Sequence, residues 1–256
     1  MGDDVGTLVE IVVGDAPAAW RSIGFAVDDD GACQVGATRI RLAGASSADG
    51  GSGGADAATR PHGTDGTAGG ILGWTLAGAT LPDDDLDGLP TATVRVPASG
   101  APEPDAAALG GGGPNGTPAG HPNGAVLIDH VVAITPDLDR TTAAIEATGV
   151  TARRTREAGR GRLQRFFRLG EVVLELVGPV EPTGDGPARF WGLAFTVADM
   201  DATAALLGER VSAPKPAVQP GRRIATLRKD DSVSVPVAFM SADLRGAPGR
   251  SGDASL

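Results

Sequence analysis

Cys33 is the only cysteine in the sequence, so no disulfide can form within the chain. No apolar run approaches the roughly 18 residues that a helix needs to cross a membrane, and the acidic start Met1-Gly2-Asp3-Asp4 has no apolar signal core. A reducing cytoplasm is the expectation from both. Lysine occurs only at Lys215 and Lys229, so positive charge rests almost wholly on arginine, as the codon bias of a GC-rich bacterial genome would produce. The net charge of -10 argues against nucleic acid or an anionic membrane as a partner. No glycine-rich loop follows a strand and opens a helix, which leaves nucleotide binding without a motif. The Ser and Cys side chains have no recognisable base beside them in sequence.

Glycine and proline are plentiful instead, with 39 and 19 copies, more than a single compact fold uses without linkers. Residues 45–70 are a Gly, Ala, Ser and Asp tract without periodicity and are expected to be a disordered insertion, with His62 solvated inside it. Residues 99–124 read as an interdomain linker, and 243–256 as a flexible tail. The remaining sequence, in a chain that is 41% hydrophobic, is enough for a real core in one large or two small domains.

Site chemistry concentrates between Val126 and Val177. His130 lies inside the apolar run Leu127-Ile128-Asp129-His130-Val131-Val132-Ala133-Ile134, and Glu175 inside Val172-Val173-Leu174-Glu175-Leu176-Val177. Short runs rich in β-branched residues read as strands, and an ionisable side chain within one needs a partner or a purpose. Between them Thr135-Pro136-Asp137 predicts a helix start, with a hydroxyl cap at Thr135 and proline at the first helical position. Leu138, Thr142 and Ile145 supply the helical spacing and Gly149 the stop. Two further extended segments complete a β-α-β-β-β unit. The unit occurs again about sixty residues later: Trp191 to Val197 overlies the His130 strand, Met200 overlies Leu138, and Val233 to Met240 follows the Glu175 strand. A worn third copy is legible near the N-terminus, where Arg41 falls at the position of Glu175 and Val9 or Glu10 near that of His130.

Tandem β-α-β-β-β modules with His in the first strand and Glu in the last resemble the vicinal oxygen chelate superfamily, which includes glyoxalase I, extradiol dioxygenases, and fosfomycin- and bleomycin-resistance proteins. The resemblance implies an α+β fold in which paired modules at 125–242 form a curved, partly closed mixed sheet around a cleft, preceded by a degenerate β-α-β-β-β-like region at 5–98. It also implies a divalent metal, zinc, iron, manganese or nickel, held weakly by His130 and Glu175. The second module departs from the pattern, with Gly192 at the His position and Pro236, Val237 and Ala238 across the Glu position. His121 could complete the ligand set only if the Pro122-Asn123-Gly124 turn folded back.

For ligand binding, Arg165, Phe167 and Trp191 are the candidates, as an anion-binding cleft with an aromatic wall. The expected function is a glyoxalase-like protein that binds a small molecule, with a metal acting as Lewis acid on vicinal oxygens in a lyase, isomerase or dioxygenase. The rival is a metal-free binding or sequestration protein. A third reading makes the modules an assembly surface, for instance in a homodimer.

Overall fold

The computed structural model describes residues 6–44, 69–81, 85–95, 120–229 and 232–242. The expected insertion, apart from Gly69 and Gly70, most of the linker and the expected tail lie outside the described residues.

The N-terminal part runs β1 (Thr7–Val13), α1 (Pro17–Ser22), β2 (Ala32–Val35), β3 (Thr38–Leu42), β4 (Ile71–Ala77), β5 (Asp85–Leu86) and β6 (Leu89–Val94). The C-terminal part runs β7 (Ala125–Ile134), α2 (Leu138–Glu146), β8 (Ala152–Gly159), β9 (Arg162–Leu169), β10 (Val172–Pro179), β11 (Arg189–Val197), α3 (Met200–Leu207), β12 (Lys215–Pro216), β13 (Arg223–Thr226) and β14 (Val237–Ser241). Two mixed sheets result, with orders β2-β3-β1-β4-β6-β5 and β12-β13-β14-β11-β7-β10-β9-β8, and neither closes into a barrel.

Local sequence explains the elements of the second sheet. In β10, Val172, Leu174 and Leu176 are buried against the helical side, while Val173, Glu175 and Val177 alternate to the opposite face. The helix α2 buries Leu138, Thr141, Thr142 and Ile145, one stripe at helical spacing. Its cap is Asp137, whose side chain accepts from the Arg140 N–H at 3.0 Å, and not Thr135 as the sequence suggested. Thr135 instead accepts from the Asp137 N–H and so shapes the turn before the cap. Asp199 caps α3 in the same way.

The two sheets share one connectivity. Parallel pairs β7·β10 and β11·β14 flank the antiparallel pair β7·β11, and parallel pairs β1·β3 and β4·β6 flank β1·β4. Their first strands also share an irregularity. An unpaired residue interrupts each register just before the position corresponding to His130, Val9 in β1, Leu72 in β4, Asp129 in β7 and Trp191 in β11. Those positions hold Glu10, Gly73, His130 and Gly192. The parallel register puts Arg41 in β3 and Ala238 in β14 at the place of Glu175. In the first sheet the two ligand positions have become an ion pair, Arg41 Nε to Glu10 Oε1 at 3.4 Å. Gly73 and Gly192 also share a reason: a Cβ on either would lie 3.1 Å from the Pro90 carbonyl oxygen or 2.7 Å from that of Pro236.

One hydrophobic core runs through both sheets. Trp20 and Phe25 pack on Phe195 of β11, with ring centroids 6.0 and 4.8 Å apart, and Trp74 meets Phe190 at 4.9 Å. Polar contacts fix the register between the layers. Asp87 accepts from Arg140 Nε and Thr141 Oγ1 at the start of α2, Asn123 donates to the Ile23 carbonyl, and Asp15 accepts from the Ser234 N–H.

Candidate active site

The face of the second sheet away from the helices lines a cavity of about 450 Å³. His130, Glu175, Arg162 and Trp191 reach it, and Val132, Ile134 and Val177 form much of its apolar wall. His130 and Glu175, nominated from sequence, meet here: Nε2 lies 3.8 Å from Oε2, with both side chains largely buried.

The register irregularity brings a third group to them. Strict alternation would send Asp129 to the opposite face of β7 from His130, but as the unpaired residue it turns to the same side, and its Oδ1 takes a hydrogen bond from His130 Nδ1 at 2.9 Å. Oδ2 accepts from Thr196 Oγ1 at 2.9 Å and from Arg222 Nη2 at 2.5 Å, and Arg222 is anchored in turn to the Ser241 carbonyl. Burial alone would raise the Asp129 pKa, but the bonds from His130 and Arg222 together outweigh it and hold the carboxyl well below its ordinary value. An ionised Asp129 only accepts, so Nδ1 of His130 carries a proton and Nε2 is the nitrogen turned toward Glu175. On the other side Gln164 Nε2 donates to Glu175 Oε1 at 2.5 Å, and Arg156 donates to Gln164 Oε1. A polar chain thus crosses the floor of the cleft from Arg156 to Arg222.

Trp191 stands in the cleft wall and is 51% exposed. Arg165 and Phe167 do not line it. Even-numbered residues of β9 face the cleft, so Phe167 is buried at 1% exposure in the core, and Arg165 reaches the helical side to bond Asp139 and Thr142. The even-numbered neighbours Gln164 and Phe166 hold the cleft face instead; only the choice of phase in the alternation separates the two readings. His121 is also committed elsewhere. Its Nδ1 accepts from the Ala26 N–H and its Nε2 donates to the Gln34 carbonyl, both at 3.0 Å, so it fastens the approach to β7 onto the first sheet. Cys33 is buried and its thiol is pushed up to about 12, chiefly by desolvation, which leaves it unreactive.

Burial is the main cause that lowers the His121 pKa from its ordinary 6.5, with the Gln34 carbonyl and Asp28 acting weakly against it. The unfolded chain therefore binds the proton first as pH falls, so the stability His121 contributes is whole above about pH 6.5 and is lost as pH drops through the lowered value. Replacing His121 by Ala is expected to cost about 1–2 kcal/mol at neutral pH and less in acid, read from urea midpoints of both proteins at the two pH values. A constant difference between the curves would show that His121 does not titrate in folding.

Among the described residues no group of three or more His, Cys, Asp or Glu side chains is arranged to hold a metal ion, and no helix is long and apolar enough to cross a membrane. Residues 129–226 match the family model described as Glyoxalase/Bleomycin resistance protein/Dioxygenase superfamily. No curated protein matches the chain. Among solved structures, methylmalonyl-CoA epimerase from Mycobacterium tuberculosis is 17% identical, over 48% of this chain and 91% of that one, with a TM-score of 0.39. A variant of Streptomyces coelicolor methylmalonyl-CoA epimerase in complex with 2-nitronate-propionyl-CoA is 25% identical, over 47% and 97%, with a TM-score of 0.38. A xylose isomerase-like TIM barrel/4-hydroxyphenylpyruvate dioxygenase fusion protein, 11% identical with a TM-score of 0.56, aligns over 92% of this chain and 48% of that one, and so shares the fold across both sheets. The β-α-β-β-β units, their cleft and the matched residues lead to one assignment: the segment 129–226 belongs to the glyoxalase/bleomycin resistance protein/dioxygenase superfamily.

Proposed function

We propose that the cleft binds a small organic molecule, and that His130 and Glu175 hold its oxygen atoms through a weakly bound divalent cation. The observation behind this reading is the approach of two electron-rich atoms, Nε2 of His130 and Oε2 of Glu175, to 3.8 Å. With Nε2 unprotonated, both atoms can give a lone pair to one cation placed between them. Imidazole nitrogen and carboxylate oxygen are ordinary ligands of zinc, iron, manganese and nickel, and Asp129 orients His130 from behind as a metal-bound imidazole requires.

The facing wall offers no further donor at Gly192, Ala194 or Ala238, so most coordination positions are left to water or to the ligand. When bound, such an ion polarises adjacent oxygens, the chemistry shared by lyases, isomerases and dioxygenases of this superfamily. The chain's own part is to orient and exclude. Gln164 steers one oxygen of Glu175 so that the other faces His130, and Trp191, Val132 and Val177 pack the apolar body of the ligand against water. The absence of a His or carboxylate at Gly192, Ala194 and Ala238 also favours a second reading, in which His130 and Glu175 form an ion pair and the cleft binds its ligand without metal.

Titration of the protein with Mn(II) separates the two. Weak uptake of one ion per chain is expected in the wild type, with affinity reduced by about tenfold or more in both His130→Ala and Glu175→Ala. Both variants should keep a cooperative unfolding transition. No uptake at millimolar Mn(II) or Zn(II) would leave the metal-free reading standing.

A further inference from the structure

The β8–β9 hairpin is strongly basic in an acidic protein. Residues 151–168 hold seven arginines and a single glutamate, against a net charge of -10 for the whole chain. The charge is also sorted by face. Arg162 lines the cavity and Gln164 reaches Glu175, so even-numbered positions of β9 look into the cleft, and the pairing of Arg154 with Phe166 and of Arg156 with Gln164 puts those two arginines on the same side. Arg156 lies over the Phe166 ring, 5.5 Å from its centre, and is tied to Gln164. Glu157, paired with Leu163, falls on the opposite face. Arg154 and Arg162 are exposed, and β8 is the edge of its sheet.

An exposed edge strand gains from charge, because charge discourages pairing with another chain. Edge protection would be served by either sign and on either face. It does not account for an arginine lining the cavity, nor for the hairpin's lone carboxylate falling on the other face. We infer that the molecule bound in the cleft carries an anionic arm, phosphate or carboxylate, which leaves the cavity across the hairpin and is held by Arg162 and Arg154. The inference rests on the cavity being the ligand site, and it names the class of ligand. The apolar body lies among Trp191, Val132 and Val177, the oxygen function meets His130 and Glu175, and the anionic arm runs along the arginines. Guanidinium forks fit both carboxylate and phosphate oxygens in pairs.

The test uses the full chain with EDTA present, inorganic pyrophosphate and propane-1,2,3-tricarboxylate as probes, and acrylamide quenching of tryptophan as readout. Trp20 and Trp74 are 0% and 2% exposed while Trp191 is 51% exposed, so the quenchable signal reports the cleft. At least one probe is expected to protect Trp191, with apparent affinity about tenfold lower in Arg162→Gln and in Arg154→Gln, the loss of one charge-assisted pair. Arg165→Gln removes the same charge from the opposite face and should bind like the wild type. Protection by pyrophosphate alone identifies a phosphate arm and by the tricarboxylate alone a carboxylate arm, and both results support the inference. Binding of neither probe, an unchanged Arg162→Gln, or equal weakening in all three variants would overturn it. Since EDTA keeps divalent ions out, failure here leaves cation binding by His130 and Glu175 to its own titration.

Discussion

A fragment beginning at Gly120, without the first sheet, is expected to aggregate or to lose its fixed tertiary packing, although it holds both complete β-α-β-β-β units. The helices α2 and α3 cover only part of the outer face of their sheet. The rest is covered by Trp20, Phe25 and Trp74, which sit on Phe195 and Phe190. Fully burying each large apolar side chain is worth about 1.5–3 kcal/mol, so uncovering several removes an amount comparable to the whole stability of a domain, about 5–15 kcal/mol. The fragment would also strand Asn123, fully buried and bonded to Ile23, and His121, bonded to Ala26 and Gln34, because all three partners are in the deleted part. Gel filtration and near-ultraviolet circular dichroism read the outcome, and a monomeric fragment with a sharp thermal transition would show the second sheet to be self-sufficient. A point change in the full chain probes the same contact: Phe195→Ala should cost about 3–5 kcal/mol.

That dependence was not legible in the sequence, where residues 125–242 look complete because period and spacing repeat within them. Repeats report which elements exist and in what order; they do not report which face of a sheet is left bare. The module architecture itself was legible, since the apolar alternation of Val172 to Val177 and the helical stripe from Leu138 to Ile145 are local patterns with local causes. Even the loss of a ligand at Gly192 could be read, though its cause could not. The Pro236 carbonyl passes so close to β11 that no side chain fits there. The echo between the N-terminal strands and the later modules was faint for the same reason: Glu10 and Arg41 keep the geometry of a ligand pair after exchanging its chemistry for an ion pair.

Asp129 was missed because alternation assigns it to the far face, and only the unpaired residue in the register of β7 brings it beside His130. A signal existed, in that the same irregularity falls at Trp191, the corresponding residue of the second module, where an aromatic was already a candidate for the cleft. β9 shows the converse error. Its pattern Arg165-Phe166-Phe167-Arg168 is symmetric under a shift of face, so no local feature chooses between the two pairs, and the choice is made by which side α2 occupies.

Replacement of Asp129 by Ala is expected to damage the protein more than any other single change in the site. It leaves Arg222, whose side chain is only 11% exposed, without its carboxylate, and breaking a buried ion pair from one side costs about 3–5 kcal/mol. Asp129→Ala combined with Arg222→Met should be less destabilised than Asp129→Ala alone, because the stranded charge is gone. Acid acts on the same group. Folding lowers the Asp129 pKa, so as pH falls the unfolded chain takes up its proton first; the stability held in this carboxylate is whole above its ordinary value of 3.8 and drains away below it. The Asp129→Ala protein should therefore lose less stability than the wild type over the acid end of a denaturation series. The functional consequence runs through His130. Without an acceptor at Nδ1 the imidazole is free to rotate and to place its proton on Nε2, facing Glu175, and a cation between them would then be excluded. Mn(II) affinity should fall by about tenfold to a hundredfold in Asp129→Ala combined with Arg222→Met, the effect typical of removing the group behind a metal-bound imidazole. If that variant folds and binds Mn(II) as the wild type does, His130 is oriented by packing alone, and the chain from Arg222 to Glu175 is a structural brace.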